Sequence, residues 1–503
     1  MFDLIIKNGK IIDGSGSEGY TADIGIKDGK IEKIGSSLCD AKRVIDADGL
    51  VVTPGFIDSH SHSDNAVFTH SEMKEKCEQG ITTSVGGQCG STRFPEPLSE
   101  DERLRTAESY FNAAENIPQG SNLLTFVGHG AIRRAVMQHE NRRPTAEELE
   151  KMKALVREAV RNGAIGLSFG LIYVPGTYAE TDELIELAKA CAEEGGILSA
   201  HIRNEADTVI EAVEEFITIV KASGARGVIS HHKSCYEKNH GKVNATLPLI
   251  ERANAEGCDI YCDVYPYIAS HTSLSARFIP KEYMANKRTL ENLRDPKTRK
   301  EIKNKFNSPK PGRLDWVLVN YCPERPEYQG KYVSEIADMM GCDDLEAALR
   351  VIEISNVSAS GCYFTMREED VATVISYKRA MICTDSSVAK SSPSYHPRLR
   401  ASFPRAIRRF VRELNVVSLP EMIKKMTSLP ANVYGLASKG LIKEGYDADI
   451  CVFDYEKLCD MADFVHPERR AEGLNFVIAG GEIIAENAIY TGAKPGRVLR
   501  RSK

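Results

Sequence analysis

His60 and His62 close an apolar run that begins at Val51, and the two imidazoles could bind one metal ion together. A short apolar run of this kind predicts a strand that is buried on both faces. Residues two apart on a strand point to the same side, so both rings would lie at the mouth of the strand. Neutral imidazoles are common ligands of zinc and related metals. The pair alone is weak evidence, since two polar residues can simply end a strand.

Seven further apolar runs end in polar residues, and helical stretches lie between several of them. One helix is predicted to begin after Thr145, with Thr145 as N-cap and Glu148 at the capping-box position. The runs lie at 82–88, 122–130, 164–170, 197–201, 227–231, 259–267 and 380–385. Together with the Val51 run they make about eight strand–helix units, which predicts an α/β fold of the (β/α)8 TIM-type barrel.

Besides the strand that ends at His60 and His62, four further strands end in side chains suited to metal or proton chemistry. In such a barrel the carboxyl ends of all strands lie on the same side. Cys89 lies in a glycine-flanked loop, although a free cysteine is often only a small buried hydrophobe. His201 closes an alternating strand that would aim it inward; a core histidine is the alternative. His231 is favoured over His232, because alternation lets only one of them face the axis. Asp385 could take a proton from a metal-bound water or pair with a local arginine.

Both ends of the chain are predicted to form small antiparallel strands, with turns at Asn8-Gly9 and Asp28-Gly29. We expect residues 1–52 and 438–503 to make one small β-sandwich domain, two separate β-caps being the alternative. Residues 53–437 would then form the barrel that carries the candidate metal ligands. Within it, residues 276–345 break the strand–helix rhythm after strand seven, which predicts an inserted lid or subdomain.

Composition limits the class of protein. The chain has 503 residues, a formal net charge of −6 and no long run of Lys or Arg, which disfavours a nucleic-acid partner. Thirteen cysteines without a regular spacing fit reduced thiols and a cytoplasmic location. The sequence shows neither a signal segment nor an apolar run of about 18 residues, so no membrane partner is expected.

Taken together, these motifs resemble the amidohydrolase superfamily and, within it, the D-aminoacylase (N-acyl-D-amino-acid deacylase) family. The matching segments are 54–62, 87–90, 170–176, 200–205, 230–233, 263–267, 396–398 and 439–450. The resemblance implies one tightly held zinc on Cys89, His201 and His231. It also implies a second, weaker metal site on His60 and His62, with Cys89 as a possible bridge.

The same resemblance implies that Asp385 is the general acid and base. Many amidohydrolases bridge two metals with a modified lysine on strand four, but the predicted strand four at 164–170 contains none. That absence fits the cysteine-bridged branch of the superfamily.

A substrate carboxylate needs a cationic pocket, and the resemblance places four side chains there: Lys233, Tyr267, Ser273 and Arg398. Arg398 could contact a carboxylate at two points, or could be one of several surface arginines that follow it. Either of the two residues before Ser273 could take its place.

The function implied is zinc-dependent hydrolysis of N-acyl-D-amino acids to a carboxylate and a free D-amino acid. The preference for the D form depends entirely on the resemblance. A cyclic-amide hydrolase of the dihydroorotase or hydantoinase kind is the nearest alternative, though that class usually has the strand-four lysine. A non-catalytic scaffold is a third possibility, and the loss of ligand residues would be its mark.

Overall fold

The computed structural model describes residues 1–306, 308, 312–388 and 394–501, and within them eight parallel strands form the wall of a barrel. Barrel strands one to eight are Phe56–Asp58, Ile81–Gly86, Asn122–Thr125, Gly166–Gly170, Ile197–His201, Gly227–Ile229, Ile260–Val264 and Ala380–Ile382. Strand three resumes as Val127–Gly128, which pairs with strand four. The wall closes where the Ser59 N–H donates to the Ile382 carbonyl at 3.5 Å. The predicted barrel is confirmed.

Helices cover the outside of this wall, and the predicted N-cap is present. The Thr145 hydroxyl accepts the Glu148 N–H at 3.2 Å, and the Glu148 carboxylate accepts the Thr145 N–H at 2.8 Å. The outer helices are Lys74–Cys77, Ala107–Ala114, His129–Met137, Ala146–Arg161, Thr181–Glu193, Val209–Ser223, Val243–Ala255, Glu368–Ser376, Arg398–Arg405, Leu419–Met426 and Ser428–Val433, with a π-helical segment at Ala406–Glu413. Among the described residues, no helix is long and apolar enough to cross a membrane.

The two ends of the chain form one shared β-domain, as predicted, and its strands belong to one nine-stranded sheet. Its strands are Phe2–Ile11, Tyr20–Lys27, Lys30–Gly35, Ala41–Asp46, Val51–Pro54, Ile450–Phe453, Leu474–Ala479, Glu482–Glu486 and Ile489–Tyr490. Val51–Pro54 joins the N-terminal strands to Ile450–Phe453. The apolar run predicted as a single barrel strand is therefore divided, and the chain changes sheets at Gly55 rather than at residue 53. A Cβ at Gly55 would lie 2.4 Å from the Thr82 side chain, so the backbones approach closely there.

The turn predicted at Asn8-Gly9 is wrong, because Phe2–Ile11 is one continuous strand. Asn8 has φ +61° and marks an irregularity in the pairing with Tyr20–Lys27. Its N–H donates to the Asp23 carboxylate at 3.0 Å. An Asn-Gly pair can thus form a bulge as well as a turn, whereas Asp28-Gly29 does form the predicted turn.

The region after strand seven contains its own antiparallel sheet, in the order Ala269–Ser273, Ser360–Phe364, Val317–Tyr321. Two of these strands lie outside the predicted insertion at 276–345. Ala269–Ser273 is polar, so it lacks the apolar pattern by which a buried strand is recognised. The helices of this region are Leu274–Phe278, Thr289–Arg294, Pro296–Lys305, Val333–Met340 and Asp344–Ile354. They pack around a separate hydrophobic core that includes Trp316.

Residues 496–501 lie outside the terminal sheet, in which residues 438–503 were predicted to lie, and run along the bottom of the barrel. Residues 502 and 503 of that prediction lie outside the described residues. Gly496 exchanges backbone hydrogen bonds with Gln119 at 2.8 and 2.9 Å, and Leu499 donates to Leu123 at 2.7 Å. The Arg501 N–H donates to the carbonyl of Gly163 at 3.0 Å. These contacts lie at the amino ends of strands three and four, opposite the polar strand ends.

A buried ammonium group joins strands one and eight. Lys76 is fully buried and its Nζ lies 2.9 Å from Asp58 Oδ2, 2.7 Å from Thr384 Oγ1 and 3.0 Å from both the carbonyl and the hydroxyl of Ser386. Asp58 in turn accepts the N–H and the hydroxyl of Thr384 at 2.8 and 2.6 Å. The ion pair therefore fixes the two strands that begin and end the barrel.

We expect Lys76→Met to lower the free energy of unfolding by about 3–5 kcal/mol, because it leaves the Asp58 carboxylate buried without its cation. Lys74→Met, on the same short helix but partly exposed, should change it by less than about 0.5 kcal/mol. Urea unfolding of both variants measures the difference. Equal unfolding midpoints for the two would show that the ion pair does not hold the barrel closed.

Candidate active site

Two histidines and an aspartate meet where strands one and eight end. His60 Nε2 lies 3.4 Å and His62 Nε2 lies 3.2 Å from the same oxygen of Asp385, Oδ1. The Asp385 N–H also donates to the His60 carbonyl at 2.9 Å. The carboxylate and both imidazoles thus face one small volume.

Cys89 connects this group with a second group of donors. Its Sγ lies 3.4 Å from His60 Nε2, 3.4 Å from His231 Nε2 and 3.8 Å from His201 Nδ1. The donor atoms of Cys89, His201 and His231 all lie within 4.8 Å of one another, and so do those of His60, His62, Cys89 and Asp385. All five predicted metal ligands are therefore brought together, with the thiol common to both groups.

Three of these residues have backbone angles that are rare for side chains with a Cβ. Cys89, His231 and Asp385 have φ values of +54°, +36° and +48°. Such conformations persist only where the surroundings hold them, and they concentrate at functional sites. Beside Cys89 the chain passes so close to strand four that a Cβ at Gly90 would lie 2.7 Å from the Gly170 nitrogen.

Glu205, to which sequence reasoning gave no role, lies beside the second group of donors and orients His231. Its Oε1 lies 2.9 Å from His231 Nδ1 and 2.5 Å from Lys233 Nζ, and its Oε2 lies 3.7 Å from His201 Nε2. Burial alone would raise the pKa of Glu205, but Lys233 and the two imidazoles hold it well below its usual range. A carboxylate that accepts Nδ1–H leaves the Nε2 lone pair of His231 facing Cys89. The one available signal was its i+4 spacing from His201.

Arg398 holds Asp385 in its ionised form. Its Nη1 lies 2.7 Å from Asp385 Oδ2 and its Nη2 lies 3.4 Å from His271 Nδ1. Burial would raise the pKa of Asp385, but the guanidinium, with the imidazoles of His231, His62 and His60, keeps it well below the usual range. Asp385 is therefore an acceptor at neutral pH.

The pKa of the Cys89 thiol is shifted in the opposite direction to that of Asp385. Burial, reinforced by the negative charge of Asp385, raises the pKa of Cys89 well above its usual value. A divalent cation reverses that preference, since a coordinated thiol is deprotonated. A donor set of thiolate, imidazole and carboxylate is one that zinc favours. The residues present therefore fit a zinc site.

A cavity of about 400 Å³ opens above the donors, a volume suited to a small molecule. Three of the four residues predicted to bind a carboxylate line this cavity: Lys233, Ser273 and Arg398. Their role in binding remains a prediction. Ser273 also caps the helix Leu274–Phe278, its hydroxyl accepting the Ala276 N–H at 3.3 Å.

Tyr267, the fourth, does not line the cavity, and Tyr265 does. The ring of Tyr267 lies 5.3 Å from that of His396, and the Arg405 guanidinium lies 5.0 Å above it. The Tyr267 N–H donates to the Tyr265 carbonyl at 2.9 Å, so the chain turns after strand seven ends at Val264. Alternation along the strand no longer applies beyond that point.

We expect Gly90→Ala to destabilise the protein far more than Gly224→Ala. Both glycines have φ near +70°, which costs an alanine about 1–2 kcal/mol. Nothing lies within 4 Å of a Cβ at Gly224, whereas a Cβ at Gly90 would clash with the backbone of Gly170. Thermal unfolding of the two variants isolates the close approach, and similar melting temperatures would contradict it.

Comparison with known proteins assigns the chain to a family. A model described as "Amidohydrolase family" matches residues 43–272 and 380–485. The N-acyl-D-glutamate deacylase of Alcaligenes xylosoxydans xylosoxydans is 35% identical, over 99% of this chain and 96% of its own.

Two solved structures have the same fold throughout. The N-acyl-D-glutamate deacylase of Bordetella bronchiseptica, complexed with zinc and a phosphonate mimic of the tetrahedral intermediate, matches with a TM-score of 0.85 and 33% identity, over 99% of this chain and 100% of its own. A D-aminoacylase with a binuclear metal center matches with a TM-score of 0.85 and 33% identity over the full length of both chains. The chain therefore belongs to the amidohydrolase family, in its D-aminoacylase branch.

Proposed function

We propose that this chain is a zinc-dependent hydrolase that cleaves N-acyl-D-amino acids to a carboxylate and a free D-amino acid. One observation carries the proposal: Cys89 is shared by two groups of metal donors at the base of a cavity that is lined by cationic side chains. The deacylase of Bordetella bronchiseptica, similar over the whole chain, is a zinc complex with a mimic of the reaction intermediate.

In this proposal Cys89, His201 and His231 hold one zinc tightly. His60 and His62 would hold a second metal more weakly, with Cys89 common to both groups of donors, in keeping with the binuclear center described for the D-aminoacylase relative. When bound, zinc would act as a Lewis acid that polarises the acyl carbonyl. Strand four, Gly166–Gly170, contains no lysine to bridge two metals, which disfavours the cyclic-amide alternative.

Asp385 moves the proton. Its ionised carboxylate takes a proton from the attacking water and returns it to the leaving nitrogen, as a general base and then a general acid. Arg398 on one oxygen and the imidazoles of His60 and His62 near the other keep the carboxylate aimed between the donors. The left-handed backbone conformation of Asp385, with φ +48°, helps to hold its carboxylate in this orientation.

The substrate carboxylate is assigned to Lys233, Ser273 and Arg398, with Tyr265 in the place first given to Tyr267. All four line the cavity. Metal and carboxylate contacts at the two ends of the substrate leave one open direction for its side chain, so the wrong enantiomer would be directed at a wall. A cytoplasmic location is part of the proposal, supported by thirteen cysteines that are all free.

The function is tested with N-acetyl-D- and N-acetyl-L-amino acids and chiral detection of the product. We expect the D series to be hydrolysed at least about tenfold faster in kcat/KM. Asp385→Asn keeps the shape of the side chain but removes the base, and should lower kcat about a hundredfold. Faster turnover of the L series would overturn the substrate assignment, and full activity of Asp385→Asn would overturn the proton path.

Metal analysis tests the ligand assignment. We expect about one tightly held zinc per chain in the parent protein and loss of that zinc in Cys89→Ala, because a soft thiolate is removed from the site. Cys191→Ala, which removes a buried thiol from the helix Thr181–Glu193, serves as the matched control and should retain zinc. Full zinc occupancy in Cys89→Ala would exclude Cys89 as a ligand.

A further inference from the structure

A buried carboxylate with no part in the proposed proton path lies next to the metal donors. It belongs to Asp263 on strand seven, Ile260–Val264. Its Oδ1 accepts the N–H of His231 at 2.6 Å and the thiol hydrogen of Cys383 at 3.3 Å, and lies 3.5 Å from His60 Nδ1. One oxygen atom therefore lies within 3.5 Å of residues that follow three different strands, six, eight and one.

No permanently charged cation is paired with Asp263. Within the described part of the chain, no lysine or arginine forms an ion pair with this carboxylate, and its Oδ2 has no hydrogen-bond partner. Glu205, the carboxylate beside His231, differs in this respect, because Lys233 Nζ lies 2.5 Å from its Oε1. Burying a carboxylate without a cation is costly. Among the described residues, His60 is the one side chain placed to form an ion pair with Asp263.

The two ring nitrogens of His60 face different groups. Nε2 faces the donors, 3.4 Å from both Cys89 Sγ and Asp385 Oδ1. Nδ1 lies on the side of Asp263, and no acceptor among the described residues forms a hydrogen bond with it. A metal ion on Nε2 requires the ring proton on Nδ1, and a carboxylate behind Nδ1 favours that tautomer and makes the imidazole a better ligand. Because 3.5 Å exceeds an ordinary hydrogen-bond length, the attraction between Nδ1–H and Asp263 depends on the charge of the carboxylate.

We propose that Asp263 is a positioning residue that keeps the ring proton of His60 on Nδ1 and thereby sets how tightly His60 and His62 hold the second metal. This inference depends on the two-metal site of the proposed function and adds a residue to it. The same oxygen accepts the N–H of His231, whose φ is +36°, so Asp263 also links the two groups of donors. Asp263 does not line the cavity above the donors, so we expect it to act on metal binding and not on substrate binding.

Asp263→Asn separates the charge from the backbone contact, because the amide oxygen can still accept the His231 N–H. We expect the dissociation constant of the second zinc to rise about 10- to 100-fold and that of the tight zinc to change less than about threefold. Zinc titration of the metal-free protein against a competing chelator measures both constants without substrate. Asp23→Asn, in the terminal sheet, is the matched control and should bind both zinc ions as the parent does. Asp23 is also buried and accepts two backbone N–H groups.

The parent protein supplies a second test that does not require Asp263→Asn to fold. In the zinc-saturated parent we expect the His60 Nδ1–H proton to exchange slowly with water and to be shifted downfield, because a carboxylate accepts from it. Nitrogen-15 NMR of protein labelled in histidine measures both properties, and the His60 signals are identified by their absence in His60→Gln. Ligation of zinc through Nδ1, or an Nδ1–H proton without these properties, would overturn the inference.

The zinc titration can contradict the inference in three ways. The second zinc could bind Asp263→Asn as tightly as the parent, both zinc ions could be weakened equally, or the parent could bind only one zinc. Each result would remove Asp263 from its positioning role and leave the deacylase function standing. Neither measurement uses substrate, so failure to hydrolyse any N-acyl-D-amino acid would refute the proposed function without affecting the role of Asp263.

Discussion

One buried ammonium group, that of Lys76, links the first and last strands of the barrel wall. Lys76 contacts Asp58 at the end of strand one and Thr384 after strand eight. Removing these charges from water costs several kcal/mol per ion, which is recovered only because each remaining donor and acceptor finds a partner. Strand one continues directly into His60, and strand eight into Asp385. The contact that closes the wall therefore also sets the distance between an imidazole and the carboxylate that faces it.

The fold and the grouping of the candidate site could be predicted because both depend on local patterns. Apolar runs separated by helices predict a parallel barrel, and in such a barrel the carboxyl ends of all strands face one side. That rule alone places Cys89, His201 and His231 together, although they lie far apart in sequence, and the structure has them within 4.8 Å. Their role as zinc ligands remains a prediction.

Features set by contacts between distant segments could not be read from the sequence. Tyr265 and Tyr267 lie two residues apart, so alternation along a strand would place both side chains on the same side. The backbone turn after strand seven directs Tyr267 away from the cavity. In the sequence Glu205 has no feature, apart from its i+4 spacing from His201, that separates it from other charged residues. Its role follows from its distances to Lys233 and two histidines. Two partners of Lys76, Thr384 and Ser386, lie more than 300 positions further along the chain, beyond the range of any local pattern.

The shared terminal sheet has a consequence for how the protein is made. Val51–Pro54 pairs with Ile450–Phe453, so one strand leaves the ribosome about 400 residues before the strand with which it pairs. At about 5–20 residues per second, roughly 20–80 s separate the two. During that interval the apolar edge of Val51–Pro54 is unpaired, and an exposed strand edge can recruit other chains. Nascent chains of this protein should therefore depend on chaperones that cover such edges until Ile450–Phe453 has been translated.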